Sequence, residues 1–236
     1  MKSIFEKKLS VVIPCYNENS TISKIIKKVI DTNLNLELIL VDDFSTDGSR
    51  KKIKQAQHKA IKKKIFHNKN KGKGACIKSA LRYVSGELVI IQDADLEYDP
   101  KDYKKLLTPF LEDKVEVVYG SRVLNKQRYS LKKKPSVNFR IFSNHVLTIL
   151  SNILNNQSLT DAHTCYKIFK TKLLRKIKPK ENDFAFCPEV TTKISNLDLN
   201  IKEVPIHYKG RGYDEGKKIG IYDAFRVLIV IFKYKF

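Results

Sequence analysis

The chain has 236 residues, of which 42% are hydrophobic, and this is enough material for one sizeable folded core. Its 46 Lys and Arg residues outnumber 25 Asp and Glu residues, so the net charge of +21 favours anionic partners such as nucleic acid, membrane surfaces or phosphorylated substrates. Only eight of these cations are arginine, whose planar guanidinium recognises phosphates and bases more specifically than a lysine ammonium does. Composition alone therefore does not choose among the partners.

The cysteines and the apolar segments exclude several classes of protein. Cys15, Cys76, Cys165 and Cys187 stand far apart with no C-x-x-C pair, which argues against a zinc site and is typical of a reducing cytosol. The N-terminus has no apolar signal-peptide core, and the longest apolar run, 224–232, is about half of the ~18 residues needed to cross a bilayer. We therefore expect a cytoplasmic protein that does not span a membrane by itself.

Short apolar runs alternate with helical patterns through the first half of the chain. These patterns predict strands over 9–14, 36–41, 64–67 and 88–95, separated by helices over 22–30, 49–62 and 75–85. A β-α-β alternation requires crossover connections, which give a mostly parallel sheet with helices on both faces. A strand over 115–119 and an edge strand over 200–207, marked by Pro205, complete the predicted α/β fold.

The fourth predicted strand ends in two aspartates. Asp93 and Asp95 are spaced i, i+2, so both side chains point the same way if the strand continues through them. Neighbouring carboxylates repel each other, and Mg²⁺ or Mn²⁺ relieves this repulsion while keeping coordination positions for phosphate oxygens. The alternative is a solvated acidic turn before Pro100, because a D-x-D pattern is short.

Two other predicted strands also end in polar residues. The first leads to Tyr16 and Glu18, and the second leads to Asp42 and Asp43. The carboxyl ends of parallel strands lie on one edge of the sheet, where ligands of open α/β sheets bind. We therefore expect these groups to converge with the aspartates of the fourth strand, and this convergence favours a ligand site over three unrelated turns.

Five motifs resemble, in their order and spacing, those of family 2 glycosyltransferases. They are Pro14-Cys-Tyr-Asn-Glu18, Asp42-Asp-x-Ser-x-Asp-Gly48, Asn70-x-Gly-x-Gly-Ala75, Asp93-Ala-Asp95 with Pro100, and Gly120-Ser-Arg122. Over about residues 8–220 the chain resembles in particular the branch of dolichyl-phosphate mannosyltransferase and related polyprenyl-phosphate glycosyltransferases. The resemblance implies a GT-A (nucleotide-diphospho-sugar transferase) fold, a nucleotide-sugar donor, a divalent metal and inversion at the anomeric carbon.

The resemblance also implies roles for individual residues. The residues that would bind the donor are Pro14, Tyr16, Glu18, Asp42, Asp43, Lys73, Asp93 and Ala94. Asp93 and Asp95 would hold Mg²⁺ or Mn²⁺ on the diphosphate, and Asp95 is expected to be catalytic. A single domain over 1–220 would then comprise a nucleotide-sugar half at 8–122 and an acceptor half at 123–220.

The second half of the chain contains a basic loop and two amphipathic segments. Residues 123–140 are polar and basic without clear periodicity, which is typical of a functional or disordered loop. Apolar spacing predicts a helix over 137–154, which we expect to face the core, the alternative being a helix that lies on a membrane. Residues 221–236 form an amphipathic C-terminal segment that fits a membrane surface, docking on the domain or a partner.

Two kinds of acceptor are compatible with these features. A lipid phosphate is largely anionic at neutral pH and needs cations rather than a base. The groups expected around such a phosphate are Arg122, Arg140, Glu189, Arg211 and Lys217. A saccharide hydroxyl would instead need Asp161 as its general base. Arg122 and Asp161 are therefore predicted to be catalytic together with Asp95, and the basic residues of the second half favour the lipid phosphate.

We therefore expect an inverting, metal-dependent transfer of a hexose from GDP-mannose or a UDP-sugar to polyprenyl or dolichyl phosphate at the cytoplasmic face of the membrane. The expected partners are the donor, the lipid phosphate and the inner membrane surface, and a membrane-spanning subunit or a second copy is also compatible. The alternatives are a soluble family 2 enzyme with a saccharide acceptor and, more remotely, a basic nucleic-acid-binding protein. No recognisable binding module or base-stacking set of aromatic residues supports a nucleic acid partner.

Overall fold

The computed structural model describes residues 4–126, 128, 135–210 and 221–236, and this part contains seven strands and eight α-helices. The strands are β1 (Leu9–Cys15), β2 (Leu36–Asp42), β3 (Ile61–Phe66), β4 (Leu88–Ile91), β5 (Val117–Ser121), β6 (Lys167–Lys170) and β7 (Lys202–Pro205). The helices are α1 (Ile22–Ile30), α2 (Ser49–Gln55), α3 (Lys73–Leu81), α4 (Tyr103–Leu107), α5 (Pro135–Asn155), α6 (Thr171–Ile177), α7 (Phe186–Ser195) and α8 (Ile221–Lys235).

All seven strands belong to one sheet in the order β3-β2-β1-β4-β6-β5-β7. Strand β6 is antiparallel to its two neighbours, β4 and β5, and the remaining pairs are parallel. The central strands read as nearly continuous apolar runs because both of their faces are covered. The predicted α/β fold with a mostly parallel sheet is confirmed.

The core lies in two layers, one on each face of the sheet. Alternate residues of a strand point to opposite faces, so Val11 packs in the layer that includes α1 and α4, whereas its neighbour Val12 packs in the layer that includes α3 and α7. Ile25 on α1 and Val190 on α7 are both fully buried in their respective layers. Helices therefore cover both faces, as the sequence predicted.

Several boundaries differ from the prediction. Helix α2 ends at Gln55 rather than residue 62, so β3 begins at Ile61, three residues earlier than expected. Strand β4 ends at Ile91, so the argument that alternate strand residues share a face does not apply to the two aspartates. They lie in a turn instead, because Asp95 Oδ1 accepts a hydrogen bond from Glu97 N at 3.0 Å and the next residue, Leu96, adopts a φ of +65°.

Helix α5 does not bury the apolar stripe that we expected to face the core. The four exposed residues, spaced four, three and four apart, are Phe142, Val146, Ile149 and Ile153. The buried positions include Thr148, Ser151 and Asn155, and the Asn155 carbonyl accepts a hydrogen bond from the Ser195 hydroxyl of α7. The core-facing prediction is therefore wrong for these four residues, because α5 packs against the domain partly through polar groups.

Helix α8 packs against α7 and α5, and its polar side chains bind two carboxylates, those of Asp183, 2.6 Å from Arg226 Nε, and Glu181. Glu181 accepts hydrogen bonds from Arg226 Nη2 at 3.0 Å, Lys233 Nζ at 2.8 Å and Tyr234 Oη at 2.9 Å. Phe225, Ile229, Phe232 and Phe236 remain exposed on the same helix. We call these four residues, with the four exposed residues of α5, the apolar ridge. In the described part no helix combines the length and apolar character that crossing a bilayer requires.

Candidate active site

Three neighbouring parallel strands, β2, β1 and β4, end side by side on one edge of the sheet. Cys15 at the end of β1 is in register with Asp42 at the end of β2, and Asp43 N donates to the Cys15 carbonyl at 2.8 Å. Beyond β4, Gln92 N donates to the Val12 carbonyl at 2.9 Å. The predicted convergence of polar strand ends is therefore present, and it places the loops after β1, β2 and β4 at one site.

The loops after β1 and β2 supply a buried acceptor. Asp42 is fully buried, with Ser45 N at 3.4 Å and Arg50 Nε at 3.5 Å from its Oδ2. Among the described residues its Oδ1 has no hydrogen-bond partner, which is costly for a buried carboxylate oxygen unless a ligand donates to it. Pro14 is partly buried and Tyr16 is exposed, so both can contact a ligand directly, whereas Glu18 is buried and accepts a hydrogen bond from Thr21 Oγ1 at 2.9 Å.

Asp43 faces the protein instead. Its carboxylate accepts hydrogen bonds from Lys71 N at 2.9 Å and Gly72 N at 2.7 Å, and it bonds His67 Nδ1 at 2.6 Å. Asp43, His67 and Cys76 have atoms close enough to share a metal ion, but these bonds already use the carboxylate. Burial, followed by the charge of Asp43, also raises the pKa of Cys76, so its thiol is protonated and is a poor ligand. Asp43 therefore fixes the loop that leads to Lys73.

Lys73 joins the loop before α3 to the aspartates after β4. The φ of +91° at Gly72 and the close approach of the Glu181 carbonyl to Gly74 require glycines here, and they bring the Lys73 ammonium onto Asp93. Burial alone would lower the pKa of Lys73, but the adjacent Asp93 carboxylate outweighs this effect and raises it. A permanent cation thus lies at the predicted donor side of the site, and Ala94, also predicted to bind the donor, is buried.

The chemistry of Asp93 and Asp95 fits a hard divalent cation. Both are oxygen donors in one turn, both are partly accessible, and one oxygen of Asp95 already stabilises the turn by accepting from Glu97 N. The pairing of Asp93 with Lys73 uses part of its coordination capacity, so a metal would share this carboxylate with the ammonium. The residues present are therefore compatible with Mg²⁺ or Mn²⁺ and do not distinguish the two.

Arg122 and Asp161 form a forked ion pair across the site. Arg122 Nε and Nη2 each donate to one Asp161 oxygen at 2.7 Å, and Arg122 N adds a third bond at 3.0 Å. Burial by itself would raise the pKa of Asp161, but the charge and hydrogen bonds of Arg122 lower it overall. The Arg122 guanidinium also lies over the Tyr208 ring, 5.1 Å from its centroid. Asp161 therefore holds a cation in place, and both of its oxygens are engaged.

Several positioning residues were missed by the sequence analysis. Glu203 on β7 accepts from Thr160 N at 2.6 Å and Asp161 N at 3.0 Å, which holds the backbone of the Asp161 loop. Glu97 accepts from Tyr208 Oη at 2.8 Å, which joins the aspartate turn to the start of the C-terminal basic loop. No local pattern predicts these pairs, because each joins residues distant in the chain.

Glu189 is the one remaining predicted acceptor residue whose side chain the structure describes. Glu189 is fully buried and accepts hydrogen bonds from Lys180 N, Glu181 N and Lys193 Nζ, at 2.6, 2.7 and 2.6 Å, so its partners are the protein's own groups. The side chain of Arg140, and Arg211 and Lys217 entirely, lie outside the described residues. Tyr208 and Lys209, which precede the C-terminal basic loop, both bind Glu97 at the edge of the site.

Sequence and structure comparisons identify the relatives of this chain. The sequence model of glycosyl transferase family 2 matches residues 10–178. The chain is 24% identical over 242 residues to UDP-N-acetylglucosamine–dolichyl-phosphate N-acetylglucosaminyltransferase of Methanococcus voltae, covering 94% of each protein. It is 25% identical over 217 residues to the undecaprenyl-phosphate 4-deoxy-4-formamido-L-arabinose transferase of Salmonella paratyphi B, covering 89% of this chain and 62% of that enzyme.

Solved structures show the same fold. Glucosyl-3-phosphoglycerate synthase from Mycobacterium tuberculosis, in complex with Mn²⁺, UDP and phosphoglyceric acid, aligns with a TM-score of 0.70 at 19% identity, over 97% of this chain and 78% of that one. Mannosyltransferase PcManGT from Pyrobaculum calidifontis, in complex with GDP-Man and Mn²⁺, aligns with a TM-score of 0.58 at 19% identity, over 89% of this chain and 59% of that one. With the GT-A fold present and the family match spanning most of the chain, this protein belongs to glycosyl transferase family 2.

Proposed function

We propose that this protein is an inverting glycosyltransferase that transfers a hexose from a nucleotide diphosphate donor to a polyprenyl phosphate. The Methanococcus and Salmonella relatives, whose names specify dolichyl or undecaprenyl phosphate, support this class of acceptor. The observation that carries the proposal is the forked Arg122–Asp161 pair. A hydroxyl acceptor would need Asp161 as a free base, but both of its oxygens are bonded to the Arg122 guanidinium.

The state of Asp161 argues against a hydroxyl acceptor. A general base needs a free oxygen near the acceptor proton and a pKa near the working pH. Asp161 has a lowered pKa, and Arg122 bonds both of its oxygens. A phosphate monoester, with a second pKa near ~6, has already lost its proton at neutral pH and needs only cations to hold it. Asp161 accepts from Nε and Nη2 of Arg122 and so fixes the guanidinium, which would bind a phosphate through its other N–H groups.

The donor side supplies complementary groups. Asp42 offers a buried acceptor for an N–H of the nucleobase or a hydroxyl of the ribose, and Tyr16 offers an exposed ring beside it. Lys73 provides a positive charge for the diphosphate. A divalent metal bound by Asp93 and Asp95 would neutralise further charge on the departing nucleoside diphosphate. These groups are compatible with either GDP- or UDP-linked sugars.

The transfer then needs little from the protein beyond orientation and charge. Arg122, with the predicted cations Arg140, Arg211 and Lys217, would hold the acceptor phosphate in line with the anomeric carbon, opposite the leaving diphosphate. One phosphate oxygen forms the new C–O bond as the bond to the diphosphate breaks, which inverts the anomeric carbon. The cations stabilise the negative charge on both sides of that carbon.

The apolar ridge supports work at a membrane surface, which a polyprenyl acceptor requires. Each of its two stripes follows a helical spacing, and α5 and α8 are in contact, so eight apolar side chains lie on neighbouring helices. Lys235 lies beside the α8 stripe and can reach anionic headgroups while its stem covers apolar surface. We assign this ridge to the lipid surface, at the cytoplasmic face.

The acceptor assignment is tested by transfer from labelled UDP- and GDP-sugars to undecaprenyl phosphate, with Mn²⁺ or with EDTA. We expect lipid-linked product only with metal, and a rate that rises as pH passes ~6, where the phosphate loses its second proton, and stays flat above it. Asp161→Asn should raise the KM for lipid phosphate while leaving measurable turnover, and Glu116→Gln, which breaks a surface pair with Lys170, is the matched control. Complete loss of turnover in Asp161→Asn, together with transfer to a saccharide alcohol by the wild type, would show instead that the acceptor is a hydroxyl group and that Asp161 is its general base.

The membrane assignment is tested by flotation with vesicles of phosphatidylcholine and phosphatidylglycerol. Burial of one such side chain in lipid stabilises binding by about 1.5–3 kcal/mol, so Ile229→Glu or Phe232→Glu should weaken binding at least ~10-fold. Leu111→Glu, at an exposed leucine outside the ridge, should not. A dimer in solution that both ridge variants dissociate, with no vesicle binding by the wild type, would assign the ridge to a second copy.

A further inference from the structure

Tyr208 contacts residues on both sides of the candidate active site. Its hydroxyl donates to Glu97 Oε2 at 2.8 Å, and Glu97 N in turn donates to Asp95 Oδ1 at 3.0 Å. On the other side, the Arg122 guanidinium lies over the Tyr208 ring, with Cζ 5.1 Å from the ring centroid. One side chain therefore joins the aspartate turn to the arginine that is expected to hold the acceptor.

The backbone and the ring of Tyr208 are fixed to the same turn. Tyr98 and Tyr208 form an isolated antiparallel bridge, and Lys209 N donates to the Glu97 carbonyl at 2.9 Å. The Tyr98 ring, which is almost completely buried, packs against the Tyr208 ring with centroids 5.1 Å apart. These contacts, together with the hydroxyl bond to Glu97, define the position of the ring under Arg122.

Two neighbours fix the Arg122 guanidinium in different ways. Asp161 accepts from Nε and Nη2 at 2.7 Å, which holds one edge of the guanidinium but permits the group to tilt about that edge. The Tyr208 ring covers one face and so limits this tilt, because a guanidinium packs favourably over an aromatic ring. The remaining N–H groups then point in a defined direction, as a forked contact to a phosphate requires.

The protonation state of Tyr208 suits this arrangement. Burial raises the pKa of Tyr208, and the Glu97 carboxylate acts in the same direction, whereas the charge of Arg122 opposes them without reversing the shift. The hydroxyl therefore keeps its proton near neutral pH and donates it to Glu97. The ring under the guanidinium is then neutral, and its attachment does not change with pH in this range.

We propose that Tyr208 is a positioning residue for Arg122: its ring sets the plane of the guanidinium that binds the acceptor phosphate, and its bond to Glu97 holds the ring in place. This inference deepens the proposed function and rests on it. Tyr208 itself takes no part in bond making or breaking. Its loss should therefore weaken binding of the acceptor more than binding of the nucleotide.

The test measures KM for undecaprenyl phosphate, kcat and nucleotide affinity in variants of the full chain. Loss of a contact between a cation and a ring corresponds to about 3–30-fold in binding, so Tyr208→Leu should raise the acceptor KM in this range. Affinity for UDP or GDP in calorimetry with Mn²⁺ should stay the same. Tyr208→Phe, which keeps the ring and loses the bond to Glu97, should raise the acceptor KM less. The matched control is Tyr83→Leu, which removes a ring 4.8 Å from Lys63 Nζ on the surface.

A double variant shows whether Tyr208 acts through Arg122. In an Arg122→Gln background, Tyr208→Leu should cause no further loss of kcat/KM for undecaprenyl phosphate, because the group that the ring positions is gone. A merely structural role would cost the same factor in both backgrounds, and this result would overturn the inference. If Tyr208→Leu does not fold, as judged by circular dichroism, the same comparison with Tyr208→Phe decides.

The readouts separate failure of this inference from failure of the proposed function. A wild type that transfers sugar to undecaprenyl phosphate, with an unchanged acceptor KM in a folded Tyr208→Leu, would overturn the role of Tyr208 alone. A wild type that neither binds nor glycosylates undecaprenyl phosphate would refute the proposed function and, with it, any role of Tyr208 toward a lipid phosphate.

Discussion

The Arg122–Asp161 pair predicts a specific pattern of stability changes. The pair is nearly buried, with 16% of the Arg122 side chain and 5% of the Asp161 side chain exposed, and three hydrogen bonds join the two residues. Removal of one partner leaves a buried charge without compensation, which costs about 3–5 kcal/mol of the free energy of unfolding. We therefore expect Asp161→Asn and Arg122→Gln each to lose stability in this range.

The double variant measures the interaction between the two charges separately from the interactions of each charge with the rest of the protein. With both charges removed, no ion is left stranded, so Asp161→Asn with Arg122→Gln should lose less than the sum of the single losses by about 1–3 kcal/mol. Urea unfolding followed by far-UV circular dichroism suits this chain, which has no tryptophan. The same double-mutant cycle on the more accessible pair of Glu116 and Lys170, whose side chains are 31% and 34% exposed, should give a smaller coupling, of about 1 kcal/mol or less. Additive losses at Arg122 and Asp161 would refute the reasoning.

The pair also predicts a pH dependence with a defined sign. The folded-state pKa of Asp161 lies below its unfolded value of about 3.9, so the stabilisation is complete above that value and is lost as pH falls through the folded pKa. The stability difference between the wild type and Asp161→Asn should therefore be constant near neutral pH and shrink in acid. A difference that grows as pH falls below about 4 would mean that Asp161 is not stabilised as a carboxylate.

Three further substitutions test other parts of the structure. Glu203→Ala removes the acceptor for two backbone N–H groups of the Asp161 loop, and we expect a loss of about 2–3 kcal/mol in urea unfolding with a higher acceptor KM. Gly74→Ala places a methyl group 2.3 Å from a backbone carbonyl oxygen, so it should cost about 1–3 kcal/mol and weaken nucleotide binding in calorimetry. Glu181→Gln weakens the attachment of α8, and amide exchange over 225–236 should accelerate about 5–30-fold, with little change in β1.

The arrangement of the donor side could be predicted because it depends on local pattern. Apolar runs that end in Asp42 and after Ile91 specify parallel strands, and parallel strands necessarily bring these ends to one edge. The turn at Asp95 was not predictable from the same pattern, since an i, i+2 spacing is equally compatible with a strand. Its geometry follows from a side-chain bond to Glu97 N, which no periodicity reveals.

The structure of the second half of the chain was harder to predict, because its key contacts join residues that are far apart in the sequence. Apolar residues recur along α5 at helical spacing, but this spacing does not say whether Phe142 or Thr148 faces the domain. Polar partners on α7 decide the answer, and they lie 40 residues away, as in the bond from Ser195 to Asn155. Glu189 shows the same limit, because this residue, expected around the acceptor phosphate, is buried and accepts hydrogen bonds from the backbone of Lys180 and Glu181.

The strand order explains how two halves of the chain make one site. Strand β6, from the predicted acceptor half, lies between β4 and β5 of the predicted nucleotide-sugar half, antiparallel to both. Because its direction is reversed, the loop that enters β6 from Asp161 lies at the same edge as the loop that leaves β4 toward Asp93. The Asp161 loop is therefore positioned by the sheet rather than by a flexible linker. Neither half can retain its part of the site without the other, so we expect separately expressed halves to bind neither donor nor acceptor.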